Sequence, residues 1–126
     1  MRAQGNGAGT AVGMTVDALS KKTNIPLLVR GRAGKTVIEK TYASDRMSDL
    51  LSQVSDSTLL ITNLANTSIV RIVELMYVPA ICLLNGTEPE PALLEAAKEH
   101  HTALLVSPVG MFETCGQFYR AMEEIP

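Results

Sequence analysis

One stretch, 79–101, restricts the fold more than any other. It begins with an unbroken apolar run, Ala80-Ile81-Cys82-Leu83-Leu84, closed by Asn85-Gly86. A short apolar run ended by such a pair reads as a strand buried on both faces. Glu88-Pro89-Glu90-Pro91 then supplies a helix start, because acidic side chains complement the positive helix end and proline is tolerated in the first turn. Residues 92–101, rich in Ala, Leu, Glu and Lys, continue that helix. A strand apolar on both sides belongs inside a sheet with helices on each face, so the unit predicts a layered α/β architecture.

The rest of the second half repeats the theme. Thr58-Leu59-Leu60-Ile61-Thr62 reads as a buried strand, Asn66-Thr67 as the cap of a helix carrying Ile69, Val70, Ile72, Val73 and Met76, and Ala103-Leu104-Leu105-Val106 as a further strand. Ser107-Pro108-Val109-Gly110 turns into a last helix with Phe112, Phe118, Tyr119 and Met122. Earlier, Met47, Leu50, Leu51 and Val54 fall at helical spacing behind Ser44 and Asp45, either of which can cap the helix. A short helix from Thr15 ends near Asn24 ahead of Pro26. Leu27-Leu28-Val29 and the β-branched run 36–42 flank a basic glycine turn, 31–34, and so predict a hairpin. The expected fold is three-layer αβα, with a mainly parallel central sheet plus an N-terminal β-hairpin. Residues 1–13 contain four glycines and little to bury, the composition of a flexible tail, a cloning remnant or a linker end; Met14 is a possible natural start and 14–126 the single domain.

Composition excludes several functions. A net charge of -2 without runs of like charge offers no field for DNA, RNA or an anionic membrane surface. No apolar run approaches the ~20 residues of a membrane span, and no hydrophobic signal core opens the chain, so a cytoplasmic location is expected. Cys82 and Cys115 lack metal or redox spacing and read as small buried hydrophobes.

Candidate chemistry dissolves on inspection. Gly31-Arg32-Ala33-Gly34-Lys35-Thr36 ends like a phosphate-binding loop but is two residues short and leads into a strand instead of a helix. His100 and His101 are adjacent, so on a helix they diverge by about 100° and cannot grip a metal together. Asp45 and Asp49, with Arg46 beside them, share a helix face; capping and surface pairing explain them, and catalysis there needs a metal. No catalytic residue, cofactor or metal site is expected. The edge where parallel strands end and helices begin is the natural ligand crevice. It gathers Asn63, Asn66, Thr67, Asn85, Gly86 and Ser107 as a candidate site for a nucleotide or other anion.

The series Ser44-Asp45-Arg46-Met47-Ser48-Asp49-Leu50-Leu51, the strand with Ile61-Thr62, and Ile81-Cys82-Leu83-Leu84-Asn85-Gly86-Thr87-Glu88-Pro89 resembles the DRTGG domain. The dispersed motif of that family is matched by Asp45, Arg46, Thr62 and Gly86, with Asp49 close by and Asn85 where the family has a second glycine. The resemblance spans about 14–122 and implies a domain similar to the N-terminal domain of HPr kinase/phosphorylase. Related copies sit in regulated pyrophosphatases and long phosphotransacetylases, and stand-alone ones accompany iron-only hydrogenase systems. It implies a regulatory, dimer-forming module, stand-alone or excised, and carries over no catalytic residue. Two readings therefore stand: a non-catalytic homodimeric domain that regulates or scaffolds a metabolic enzyme, and a small-molecule sensor with a nucleotide effector.

Overall fold

The computed structural model describes residues 13–123. The stretch read as a tail lies outside the described residues except for Gly13, as do 124–126. After a two-residue strand β1 (Met14–Thr15), Thr15 caps helix α1 (Val16–Thr23) by accepting the Ala18 N–H at 3.2 Å. The helix ends where Asn24 turns left-handed, a conformation asparagine tolerates at a helix C-terminus, and Pro26 disfavours helical backbone at the intervening Ile25. There follow β2 (Leu27–Val29), β3 (Val37–Ile38), β4 (Lys40–Ala43), α2 (Met47–Gln53), β5 (Thr58–Ile61), α3 (Thr67–Met76), β6 (Ala80–Leu83), α4 (Pro91–Glu99), β7 (Ala103–Val106) and α5 (Met111–Glu123).

Five strands form one sheet in the order β2-β7-β6-β5-β4, and β4 to β7 run parallel as successive neighbours. Parallel crossovers are right-handed, so strands advancing in one direction place every crossover helix on the same face. Leu50 of α2, Ile69, Ile72 and Val73 of α3, and Leu93, Ala96 and Ala97 of α4 accordingly share one core with Leu60, Ile81, Leu83 and Leu104. The alternate strand residues, Leu59, Ile61, Ala80, Cys82, Ala103 and Leu105, pack on the other face against Val16 and Leu19 of α1 and Phe118 and Ala121 of α5. Continuous apolar strands are thus split by their two-residue period between two cores, which is the three-layer α/β fold.

The expected hairpin does not form. β2 joins β7 antiparallel at one sheet edge, while β4 joins β5 at the opposite edge. The run 36–42 is broken at Glu39, whose N–H goes to Ser57 C=O at 2.9 Å; β3 before the break pairs instead with β1, antiparallel. The basic turn between β2 and β3 is real. Gly31 sits at φ 53°, and a Cβ there would lie 2.6 Å from the His101 carbonyl oxygen. The turn is therefore wedged against the entry to β7, with β3 after it, and has neither the length nor the following helix of a phosphate-binding loop.

Candidate functional site

At the carboxyl edge of the parallel strands, Asp45 is the central group. It does not cap α2, as its position before the helix predicts. Its Oδ1 accepts from Thr62 Oγ1 at 2.9 Å and from Asn63 N–H at 2.7 Å, and its Oδ2 accepts from Asn63 Nδ2 at 3.0 Å. Ser44 supplies the local turn, its Oγ accepting the Arg46 N–H at 3.0 Å, and Arg46 occupies the cap position without a side-chain bond. Burial pushes the Asp45 carboxyl up, but the donors from Asn63 and Thr62 together outweigh it and hold the group below its ordinary value. Parallel neighbours β4 and β5 end side by side, so a residue just past one reaches residues just past the other. Asp45 thereby ties the start of α2 to the approach to α3.

Asp49 takes no part in that network. It lies 3.8 Å from the Arg46 Nε, with both side chains exposed, and receives a weak 3.4 Å contact from Ser44 Oγ. The two carboxylates thus do different things, and no acid–base pair is assembled from them.

The network extends one strand further, where Asn85 Nδ2 donates to Asn63 Oδ1 at 3.3 Å. Asn85 and Gly86 hold consecutive left-handed conformations, φ 58° and 62°, in a turn closed by Thr87 N–H to Leu84 C=O at 3.0 Å. This is the conformation for which Asn-Gly is suited. Their own N–H groups are used across the gap to the next loop: Asn85 to Val109 C=O at 2.9 Å and Gly86 to Ser107 C=O at 2.8 Å. The chain leaves β6 toward α4 on one face and β7 toward α5 on the other, so this gap is the place where a crevice is expected. It is bridged by backbone bonds.

Of the remaining candidates, Asn66 caps α3 by accepting the Ser68 N–H at 3.0 Å, and Thr67 is exposed at its first turn. The Ser107 hydroxyl is buried and lies 2.7 Å from Thr114 Oγ1 of α5. The structure therefore brings Asn63 and Asn85 together with Asp45 and Thr62, places Asn66 and Thr67 nearby in chain at the same edge, and turns Ser107 inward. Among the described residues, no group of three or more His, Cys, Asp or Glu side chains is gathered as a metal requires, and no helix is long and apolar enough to cross a membrane.

A second feature was not singled out by the sequence reading. Two helices, α1 and α5, cover the face that opposes the three crossover helices, and beside α5 an open groove of about 730 Å³ runs over Thr41 and Ala43 of edge strand β4. Phe112 and Tyr119 of α5 line it and are 88% and 67% exposed. The Tyr119 hydroxyl is hydrogen-bonded to Glu123, which raises its pKa. Cys115, read as buried, is only half-buried on the groove wall; burial still pushes its thiol up. Cys82 is fully buried, and burial pushes its thiol up to about 12. Helical spacing could have revealed the surface: Thr114, Phe118 and Ala121 form the buried stripe, so Phe112 and Tyr119, seven apart, fall on another.

Fold and edge together define a three-layer α/β domain whose parallel-strand crevice is bridged and whose open surface lies along one helix. A solved structure shares that fold: the CBS and DRTGG domains of the regulatory region of Clostridium perfringens pyrophosphatase, complexed with its activator diadenosine tetraphosphate. The match has a TM-score of 0.72 at 15% identity and covers 85% of this chain and 46% of that chain. The chain has a DRTGG-like fold and spans about half the length of the solved chain. No family model matches it, and no curated protein is similar enough to match.

Proposed function

We propose that the chain is a single non-catalytic regulatory domain, 14–126, that self-associates as a homodimer and serves a metabolic enzyme in the cytoplasm. A hydrogenase- or phosphotransacetylase-associated system and a kinship with the N-terminal domain of HPr kinase/phosphorylase belong to the same reading. The observation that carries it is the pair Phe112 and Tyr119, held in solvent beside a half-buried strip of sheet at Thr41 and Ala43. Large apolar surface left open beside a sheet edge is characteristic of an association site. The Asp45 carboxylate, meanwhile, is engaged in bonds that hold loops together. The regulatory setting of the solved relative supports the same reading. Light scattering over a range of concentrations tests it: a mass of two chains at high micromolar concentration is expected, and a mass of one chain there refutes it.

The second reading, a nucleotide effector at the carboxyl edge, is favoured by the exposure of Asn63, Asn66, Thr67, Asn85 and Gly86 on that edge. The activator in the solved relative is a dinucleotide. An anion there approaches against the Asp45 carboxylate, which weighs toward the first reading. Adenine nucleotides at millimolar concentration should raise the melting temperature if the second reading holds, and an unchanged melting curve removes it.

A further inference from the structure

Gly116 occupies the middle of α5, where glycine weakens a helix, yet a Cβ placed there would meet nothing within 4 Å. Among the described residues, then, no neighbour requires a glycine at this position. At about 100° per residue, Gly116 is also at the centre of the outward face of α5, opposite the buried stripe of Thr114, Phe118 and Ala121. Phe112 and Tyr119 flank it on one side, and Glu113 and Arg120 on the other.

That arrangement is self-complementary under one symmetry operation. Let a second copy of α5 cross antiparallel at Gly116, with the two-fold axis perpendicular to both helices. At about 1.5 Å per residue, positions 112 and 113 lie about 6 and 4.5 Å before the crossing, and positions 119 and 120 about 4.5 and 6 Å after it. The two-fold sets Phe112 of each copy beside Tyr119 of the other, and Glu113 of each beside Arg120 of the other. A parallel pairing would instead set Phe112 of each copy beside Glu113 of the other and Tyr119 beside Arg120, matching neither aromatics nor charges. We propose that this face is an isologous α5–α5 interface between two copies of the chain, with Gly116 allowing the backbones to approach, aromatic pairs beside the half-buried strip of β4 and opposite charges on the far side. The inference rests on the self-association reading above and deepens it by naming the surface.

Full-chain protein examined by light scattering and sedimentation gives the test. Gly116→Arg, at an exposed position with free space around it, should leave the circular dichroism spectrum unchanged and weaken dimerisation at least tenfold. Glu113→Arg alone and Arg120→Glu alone should each weaken it, because each sets like charges face to face, and the double exchange E113R/R120E should restore most of the affinity. A dimer indifferent to Gly116→Arg, or singles that the double exchange does not rescue, overturns this interface while leaving self-association standing. A wild-type chain that is monomeric throughout overturns both.

Discussion

The two faces of the central sheet differ in cover. Three crossover helices lie over one, so Leu60, Ile81, Leu83 and Leu104 are sealed from solvent by α2, α3 and α4. Among the described residues the other face is covered by α1 and α5, and the strip of β4 carrying Thr41 and Ala43 borders the open groove. The difference follows from topology. Strands that advance in one direction through right-handed crossovers spend all their connecting helices on one side, and the opposite side is covered by whatever precedes and follows. Among the described residues that cover is α1 and α5. The well-covered face is sealed by its own crossover helices, and the open groove lies on the other.

The sharpest way to break that contrast is along α5 itself. Phe118 is wholly buried in the core under α5, whereas Phe112, on the same helix, is 88% exposed. Phe118→Ala should cost about 3–5 kcal/mol in chemical denaturation, since it removes a large buried ring and leaves a cavity. Phe112→Ala should fall within about 0.5 kcal/mol of the parent at concentrations too low for association. Comparable losses for the two would mean that Phe112 packs within its own chain and that the open side is not open.

A smaller effect is expected at the polar edge that locks the covered face. Asp45 holds Thr62 and Asn63, and so fixes where α2 and α3 start. Asp45→Asn should cost about 1 kcal/mol near pH 7, a modest figure because the carboxylate is open to solvent screening. The pH dependence has a definite sign. The folded-state pKa of Asp45 is depressed, so its contribution is complete above the unfolded value of about 4 and fades as pH falls through the lower folded value. The stability gap between parent and Asp45→Asn should therefore close in that acid range. A gap that is unchanged there would assign the loss to shape instead of charge.

Sequence pattern was most informative where interactions are local or continuous. The apolar runs became β5, β6 and β7, Asn66 capped α3, and the Asn85-Gly86 turn took its left-handed form. The failures share a physical origin, which is choice of partner over long separation. A basic glycine turn between two short strands looks like a hairpin, but β2 gains more from the antiparallel side of β7, and β4 from the parallel side of β5, than either gains from the other. Asp45 next to a helix looks like a cap. Its partners are 17 and 18 residues on, brought close only because β4 and β5 end in register. The aromatic residues of α5 were legible as a group but not as buried and exposed members, because that division depends on which side of the helix the sheet occupies.

The two cysteines give the finest probe of the contrast, since both belong to the less covered side and differ in depth. Cys82 is buried within β6 with its thiol pushed up to about 12, whereas Cys115 stands half-buried on the groove wall. The thiolate is the reacting species, so burial protects Cys82 twice, by excluding reagent and by keeping the proton on. A disulfide-exchange reagent should modify one thiol per native chain and a second only on unfolding. Reaction at Cys115 should quicken with rising pH, because burial raises its pKa above the ordinary thiol value. On the proposed α5–α5 pairing the rate should also fall as protein concentration rises, since a second chain over the groove would shield its wall. Two fast thiols in the native chain would mean that the sheet under α5 is accessible, and one thiol with a rate independent of concentration would place any partner surface away from this groove.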